Sequence, residues 1–137
     1  MPKSRIFIAA GLMAASLLAS TAVFAATVAS LSSPGKVLTV SVTLDNDGRP
    51  GYQVARHGKS IVGESRLGFV LADAPKLERN FAFSSSQTRS SDDTWEQPWG
   101  ERRYVRNHFN ELRVVLTEKT VLARRVDIVF RIYDDGL

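Results

Sequence analysis

Apolar and polar residues alternate with a period of two along much of the chain. The clearest runs are residues 37–44 and residues 126–133. In the first run every second residue is leucine or valine, with threonine and serine between them. Successive side chains of an extended strand point to opposite faces, so this pattern is typical of strands that bury one face.

Shorter apolar runs lie between turn signals and predict further strands. The turn signals are Pro-Gly at residues 34–35, Asp-Gly at 47–48 and His-Gly at 57–58, and Asp-Gly is a strong hairpin signal. Helical periodicity is nearly absent, so the pattern favours an antiparallel sandwich or barrel, and we expect an all-β sandwich. The predicted strands cover residues 27–32, 37–44, 52–55, 61–62, 67–71, 81–83, 111–117 and 126–133.

The middle of the chain is less regular. Residues 84–91 are rich in serine, and their pattern leaves three structures open: a loop, a polar edge strand or the outer face of a strand. Residues 92–104 contain both tryptophans together with several acids and bases. Pro98 and Gly100 lie within that segment and favour a shaped loop over a regular strand.

The N-terminal segment predicts export. Lys3 and Arg5 give a positive start, residues 6–19 are mostly apolar, and small residues follow up to Ala25. The apolar run is roughly 14 residues, which suits a signal peptide and is shorter than the ~20 residues that cross a bilayer. We expect residues 1–25 to be a signal peptide and residues 26–137 to form a periplasmic or secreted domain without a stable membrane anchor. Cleavage after Ala29 and an uncleaved N-terminal anchor are the alternatives.

Loss of the signal peptide changes the charge of the chain. Without Lys3 and Arg5 the basic residues fall from 18 to 16 against 14 acidic residues, which leaves a net charge of +2. A small net charge of mixed sign argues against nucleic-acid binding. The chain has no cysteine, so a single apolar core must hold a domain of roughly 110 residues together.

Trp95 and Trp99, with Arg103 nearby, are candidates for sugar contact. Indole rings can stack on sugars, while guanidinium groups and carboxylates can hydrogen-bond to hydroxyl groups. Tryptophan also buries a large apolar area, so the alternative is that both rings pack in the sandwich core or against a neighbouring domain. From chemistry alone the packing role is favoured.

Glu96 and Glu101 are the best carboxylate pair in the sequence. Glycosidases use two carboxyl groups at a defined separation, but a spacing of five residues in a loop fixes no separation, so surface or ion-paired carboxylates are favoured. Residues 45–48 lack the spacing of a calcium loop and predict a turn. Two isolated histidines do not predict a zinc site. We therefore expect neither a catalytic residue nor a metal site in this chain.

Several ordered segments of the chain resemble the start of glycoside hydrolase family 97. Two of them are long: Trp-Glu-Gln-Pro-Trp-Gly-Glu at residues 95–101 and Arg-Asn-His-Phe-Asn-Glu-Leu at residues 106–112. The resemblance runs from about residue 31 to residue 136, nearly the whole predicted mature chain. The other matching segments are residues 31–36, 67–69 and 129–136.

The resemblance implies a β-sandwich similar to part of a galactose-mutarotase-like super-sandwich. Members of the family are α-glucosidases and α-galactosidases, and their catalytic carboxylates and most calcium ligands lie in a barrel that follows this domain. The chain ends just after the turn signal Asp134-Asp135-Gly136, so we expect a domain that is incomplete at its C-terminus and poorly soluble in isolation.

The resemblance also implies a function. We expect a non-catalytic carbohydrate-binding or accessory domain, with Trp95, Glu96, Trp99, Glu101 and Arg103 as candidates for contact with substrate or with another domain. Its expected partners are an α-linked oligosaccharide and, if separately encoded, a catalytic barrel. Calcium is a cofactor of the family and is not expected in this chain. The alternatives are part of an active α-glucosidase or α-galactosidase, and a periplasmic structural β-domain without a sugar ligand.

The signal-peptide prediction can be tested by N-terminal sequencing of the exported protein. We expect the mature chain to begin at Ala26, because Val23 and Ala25 suit the small pockets of a signal peptidase. An intact Met1 on the exported protein would contradict the prediction.

Overall fold

The computed structural model describes residues 25–137, which form seven β-strands in two antiparallel sheets. The first sheet has the strand order β1-β2-β3-β4, and the second has the order β5-β6-β7. Within these residues there is no helix long and apolar enough to cross a membrane. The strands are β1 (Ala26–Ser32), β2 (Leu38–Leu44), β3 (Pro50–Arg56), β4 (Lys59–Arg66), β5 (Phe81–Glu96), β6 (Tyr104–Glu118) and β7 (Arg125–Ile132).

The predicted all-β sandwich is confirmed. β1 pairs back on β2 across the Pro-Gly turn, and β3 pairs with β2 across the Asp-Gly turn, as the turn signals indicate. The serine-rich stretch is part of β5, which pairs with β6 along its whole length. The predicted signal peptide lies outside the described residues, apart from Ala25.

The prediction of a strand at residues 67–71 is wrong. That segment contains only an isolated bridge between Phe69 and Leu77, and both Phe69 and Val70 are exposed. The apolar run lies on the surface beside the sandwich rather than in a sheet. Short apolar runs are often strands, but this run is apolar and belongs to no sheet.

The core lies between the two sheets. Val40 and Val42 from β2 face Leu112 and Leu116 from β6 and Ile132 from β7, and all five side chains are fully or almost fully buried. Strand β1 lies against β5 and β6, while β2 lies against β5 and β7. Alternate residues of these strands therefore meet in one apolar layer, as expected for packed sheets.

The β5–β6 hairpin extends beyond this layer. Phe81 at the start of β5 is buried, whereas nearly all residues from Phe83 to Glu96 are exposed. The first sheet does not cover residues 83–96 of β5, so this part of the strand needs no apolar face and its sequence shows none. This explains why the serine-rich stretch carries no clear strand signal even though it is extended.

A polar contact joins the end of β7 to the turn between β1 and β2. The backbone N–H of Gly35 donates to Oδ1 of Asp134 at 2.8 Å, across 99 residues of sequence. A Cβ on Gly35 would lie 2.6 Å from Oδ2 of Asp134, so a larger residue there would displace the Asp134 side chain. Hydrogen bonds from Ser33 and from the Gly35 backbone lower the pKa of Asp134.

Ser33 is the buried centre of the same turn, with 1 % of its surface exposed. Its hydroxyl oxygen accepts hydrogen bonds from the backbone N–H groups of Val37 and Leu38, both at 3.1 Å. The Ser33 backbone also pairs with Leu38, through an N–H···O bond of 2.8 Å. Hydrogen bonds to the buried Ser33 hydroxyl and to the exposed Asp134 carboxylate therefore hold the turn on two sides.

The outer face of the second sheet carries a network of ion pairs. Glu111 on β6 accepts hydrogen bonds from Arg89 on β5 at 2.7 Å and from Arg131 on β7 at 2.8 Å. Both guanidinium groups also lie over the ring of Phe109, 5.8 and 5.3 Å from its centre. The two arginines lower the pKa of Glu111 to about 2.

We expect Ser33→Ala to lower the free energy of unfolding by about 2 kcal/mol, because two backbone N–H groups lose their acceptor in a buried site. Urea denaturation measures the change. Ser60→Ala is the matched control, since Ser60 is exposed and makes one local hydrogen bond of 3.4 Å. Equal stability of the two variants would contradict the structural role of Ser33.

The ion pairs of Glu111 predict a pH dependence of stability. Its pKa is about 2 in the folded chain against an ordinary value of 4.5, so its contribution is present above pH 4.5 and is lost as the pH falls towards 2. We expect Glu111→Gln to be less stable than the wild type at neutral pH, with a difference that closes between these pH values. Urea titrations at several pH values measure it, with Glu101→Gln as a surface control. A difference that does not change with pH would contradict the prediction.

Candidate functional site

The five candidate residues lie together at the end of the β5–β6 hairpin. β5 ends at Glu96, β6 begins at Tyr104, and residues 97–103 close the hairpin as a loop. We call residues 95–104 the hairpin tip. Trp95 and Glu96 are the last two paired residues of β5 and lie opposite Val105 and Tyr104. The expectation that the whole segment 92–104 is a loop is therefore wrong for its first five residues, which are paired strand.

Both tryptophans are exposed. Trp95 has 50 % of its surface exposed and Trp99 has 85 %. Packing in the core of this sandwich is thus wrong for both rings, because the tip lies beyond the region where the two sheets meet. An indole ring this exposed is available to a ligand or to another protein surface.

Glu96 forms an ion pair with Arg103. Nε of Arg103 donates to Oε1 of Glu96 at 2.7 Å, and the guanidinium group lies 5.3 Å from the ring centre of Tyr104. Both charged side chains remain more than half exposed, so solvent screens the pair and its contribution to stability is small. Its effect is to orient one carboxylate and one guanidinium group beside an aromatic ring.

The loop has a defined shape. The backbone N–H of Gln97 donates to the carbonyl oxygen of Arg103 at 2.9 Å, and its side-chain amide donates to the carbonyl oxygen of Arg102 at 2.7 Å. Gly100 has a φ of 126°, and a Cβ there would also contact the side-chain amide of Gln97. The backbone conformation therefore favours glycine at this position.

The predicted carboxylate pair does not form a joint site. Glu96 is held by Arg103 in the strand, whereas Glu101 is exposed on the loop. Within residues 25–137 the two carboxylates share no hydrogen-bond partner.

One polar pair near the tip was not anticipated from the sequence. Arg106 on β6 donates two hydrogen bonds to Asp92 on β5, both of 2.7 Å, and this pairing lowers the pKa of Asp92. Residues 92, 94 and 96 point to one face, and the pair lies on the same face as Glu96. Only the register of β5 against β6 brings Asp92 and Arg106 together, so no local signal could have indicated it.

The described residues contain no group of three or more metal-ligating side chains close enough to hold an ion. The predicted turn at residues 45–48 is confirmed. Oδ1 of Asp45 accepts hydrogen bonds from the backbone N–H groups of Asp47 at 2.9 Å and Arg49 at 2.8 Å. An aspartate oxygen engaged with its own turn in this way is typical of an Asx turn.

The fold is similar to that of solved glycoside hydrolase family 97 enzymes. Two are from Pseudoalteromonas sp. strain K8, one in complex with panose and one with acarbose. Each has a TM-score of 0.73 and 25% sequence identity over 77% of this chain. A β-arabinopyranosidase shares the fold with a TM-score of 0.69 and 22% identity over 77% of the chain.

In each comparison the chain spans only 16% of the length of the matched enzyme. A family model described as the glycosyl-hydrolase 97 N-terminal domain matches residues 31–137. That match includes all five candidate residues of the hairpin tip, the Ser33 turn and β7. This chain therefore belongs to the family of glycosyl-hydrolase 97 N-terminal domains.

Proposed function

We propose that this chain is a non-catalytic accessory domain of an exported glycoside hydrolase, and that its hairpin tip contacts an α-linked oligosaccharide. The observation that carries the proposal is the exposure of both tryptophans of the chain at one end of one hairpin. Family membership supports the link to a glycosidase. Export to the periplasm or beyond is part of the proposal and rests on the N-terminal sequence.

The chemistry of the tip suits a sugar ligand. Trp99 offers an apolar ring face on the loop, and Trp95 offers a second one on the face of β5 opposite to Glu96. Sugars present apolar C–H faces that can stack on such rings. Glu96 and Arg103 are oriented by their 2.7 Å ion pair and can accept from and donate to hydroxyl groups. A mixture of aromatic surface with a few placed polar groups is typical of small-molecule sites.

The class of sugar comes from the relatives. Two of the matched enzymes were solved with panose and with acarbose, so these compounds are the natural first ligands for this chain. An open site on one hairpin buries only part of a sugar, so we expect a dissociation constant on the order of 1 mM.

The ion pairs of the carboxylates support a non-catalytic role. Glu96 is engaged by Arg103, Asp92 by Arg106 and Glu111 by two arginines. Hydrolysis of a glycoside requires one carboxyl group as acid and another as base or nucleophile around the same bond. We therefore assign bond cleavage to a catalytic barrel, with this domain placed beside its substrate entrance.

Contact of the tip with that barrel is the second candidate function. Trp99 is exposed by 85 % and lies on a shaped loop, and large exposed aromatic side chains commonly anchor protein interfaces. The two candidates differ in whether the isolated chain binds a sugar. A structural β-domain without a sugar ligand would, like the second candidate, bind no sugar in isolation.

Intrinsic fluorescence tests the sugar contact directly, because the only tryptophans of the chain are Trp95 and Trp99. We expect titration with panose or acarbose to change the emission with a midpoint on the order of 1 mM, and Trp99→Ala to weaken binding about tenfold through loss of stacking. Isothermal titration calorimetry measures the sugar affinity of Trp99→Ala without relying on tryptophan emission. Phe69→Ala, an exposed aromatic residue outside the tip, is the control and should bind as the wild type does.

No fluorescence change with either sugar up to about 10 mM would rule out the sugar contact and leave the protein contact. The non-catalytic assignment has its own assay, with nitrophenyl α-glucoside and α-galactoside in the presence of calcium. We expect no turnover by the purified chain. Turnover that Glu96→Gln or Glu101→Gln abolishes would show that the assignment is wrong.

A further inference from the structure

One face of β6 changes from apolar to polar along the strand. Leu112 and Leu116 are buried on the face that packs against the first sheet. Alternate residues of a strand share a face, and the pairing of β5 with β6 is regular over residues 85–96 of β5. The residues of β6 that continue this face towards the hairpin tip are Asn110, His108, Arg106 and Tyr104.

Asn110 marks the border between the apolar and the polar part of this face. Its side-chain amide donates to the carbonyl oxygen of Ser32 at 2.9 Å, and Ser32 is the last residue of β1. Beyond this contact the hairpin continues past the end of β1, and the turn between β1 and β2 borders it. The hairpin thus forms a floor, and the end of the first sheet forms a wall at one side of that floor.

The opposite strand supplies the rest of the polar face, because directly paired residues lie on the same face. The pairs are Asp92 with His108, Thr94 with Arg106, and Glu96 with Tyr104. We call these six residues the polar ledge. Trp95 pairs with Val105 and therefore lies on the opposite face of the hairpin.

Two ion pairs hold polar groups in place at the ledge. Arg106 donates to both carboxylate oxygens of Asp92 at 2.7 Å, and Arg103 donates to Glu96 at 2.7 Å. The Arg103 guanidinium group also lies 5.3 Å from the ring centre of Tyr104, and Tyr104 is 59% exposed. The ledge therefore combines an exposed aromatic ring with oriented donors and acceptors, which is the combination that small polar ligands require.

The charged side chains favour a polar ligand over a covering strand. Asp92, Glu96, Arg103 and Arg106 are each at least half exposed, and burying four charged groups under apolar residues would cost free energy for every one of them. Their ion pairs leave donor and acceptor positions free, so hydroxyl groups can bind without breaking the pairs. The residue types of the ledge therefore indicate a ligand rich in hydroxyl groups.

We propose that the polar ledge is the floor on which the oligosaccharide lies, with Tyr104 stacking on a sugar ring and with Asp92 and Arg106 bonding to its hydroxyl groups. This assignment rests on the proposed function and extends the binding surface from the tip along one side of the hairpin. Residues 104–110 of β6 span about 20 Å, so the ledge holds several linked sugar units rather than one.

Isothermal titration calorimetry of the purified chain with panose tests the role of Tyr104, and urea denaturation checks that each variant is folded. We expect Tyr104→Ala to weaken binding about tenfold, because the stacking ring is lost. Tyr104→Phe should restore most of that loss, since it keeps the ring. Trp95→Ala should weaken binding less than Tyr104→Ala does, because Trp95 lies on the other face.

The ion pair of the ledge has a matched control on the opposite face of the same sheet. We expect Arg106→Lys to weaken panose binding about fivefold, since lysine cannot hold both carboxylate oxygens of Asp92. Arg113→Lys changes a similar exposed pair, that of Arg113 with Asp127, and should bind as the wild type does. Glucose should bind at least about tenfold more weakly than panose, because it fills only part of the ledge.

The outcomes separate the ledge from the sugar contact itself. Binding that Trp99→Ala weakens, but that Tyr104→Ala and Arg106→Lys leave unchanged, would overturn the ledge and leave the contact at the tip. A larger loss with Trp95→Ala than with Tyr104→Ala would also overturn it, as would equal affinities for glucose and panose. A wild-type chain that binds no panose would overturn both the ledge and the sugar contact.

Discussion

The contact between the two sheets is the interaction on which the rest of the structure depends. The chain has no cysteine, so burial of apolar side chains between the sheets must offset the conformational entropy of folding. Val40 and Val42 on one side and Leu112, Leu116 and Ile132 on the other are almost completely buried. Each such side chain contributes about 2 kcal/mol when removed from water. The Ser33 turn, with its bond to Asp134, ties the two sheets together at one end of this layer.

The sheets overlap only in part, and this offset determines which surfaces are free. β1 and β2 cover the inner face of β6 and β7, while the outer half of the β5–β6 hairpin has no sheet above it. That half is held by strand pairing and by ion pairs such as Asp92 with Arg106. The hairpin tip can carry exposed tryptophans because its side chains are not part of the core. The tip is therefore a natural place for binding, whether to a sugar or to another domain.

Four of the five segments that resemble family 97 fall at two places in the fold, and the fifth, residues 67–69, lies in the exposed segment beside the sandwich. Residues 31–36 and 129–136 are far apart in sequence but meet where Gly35 contacts Asp134. Residues 95–101 lie in the hairpin tip, and residues 106–112 follow it on β6. The family pattern thus follows one structural junction and one exposed site. At the junction Asp134 bonds to the backbone of Gly35, whereas at the tip both tryptophan rings are exposed.

The sequence by itself determined the fold class, the strands with alternating faces and the turns that join β1, β2 and β3, because these depend on local periodicity and turn chemistry. It also indicated the five candidate residues of the tip. Tertiary structure alone decided that residues 67–71 lie on the surface, that residues 84–96 are strand, and that Asp92 meets Arg106. Those outcomes depend on which surfaces the other sheet covers and on the register between distant strands. Neither property is encoded in a short window of sequence, since the same polar run can be an exposed strand or a loop until its partner is in place.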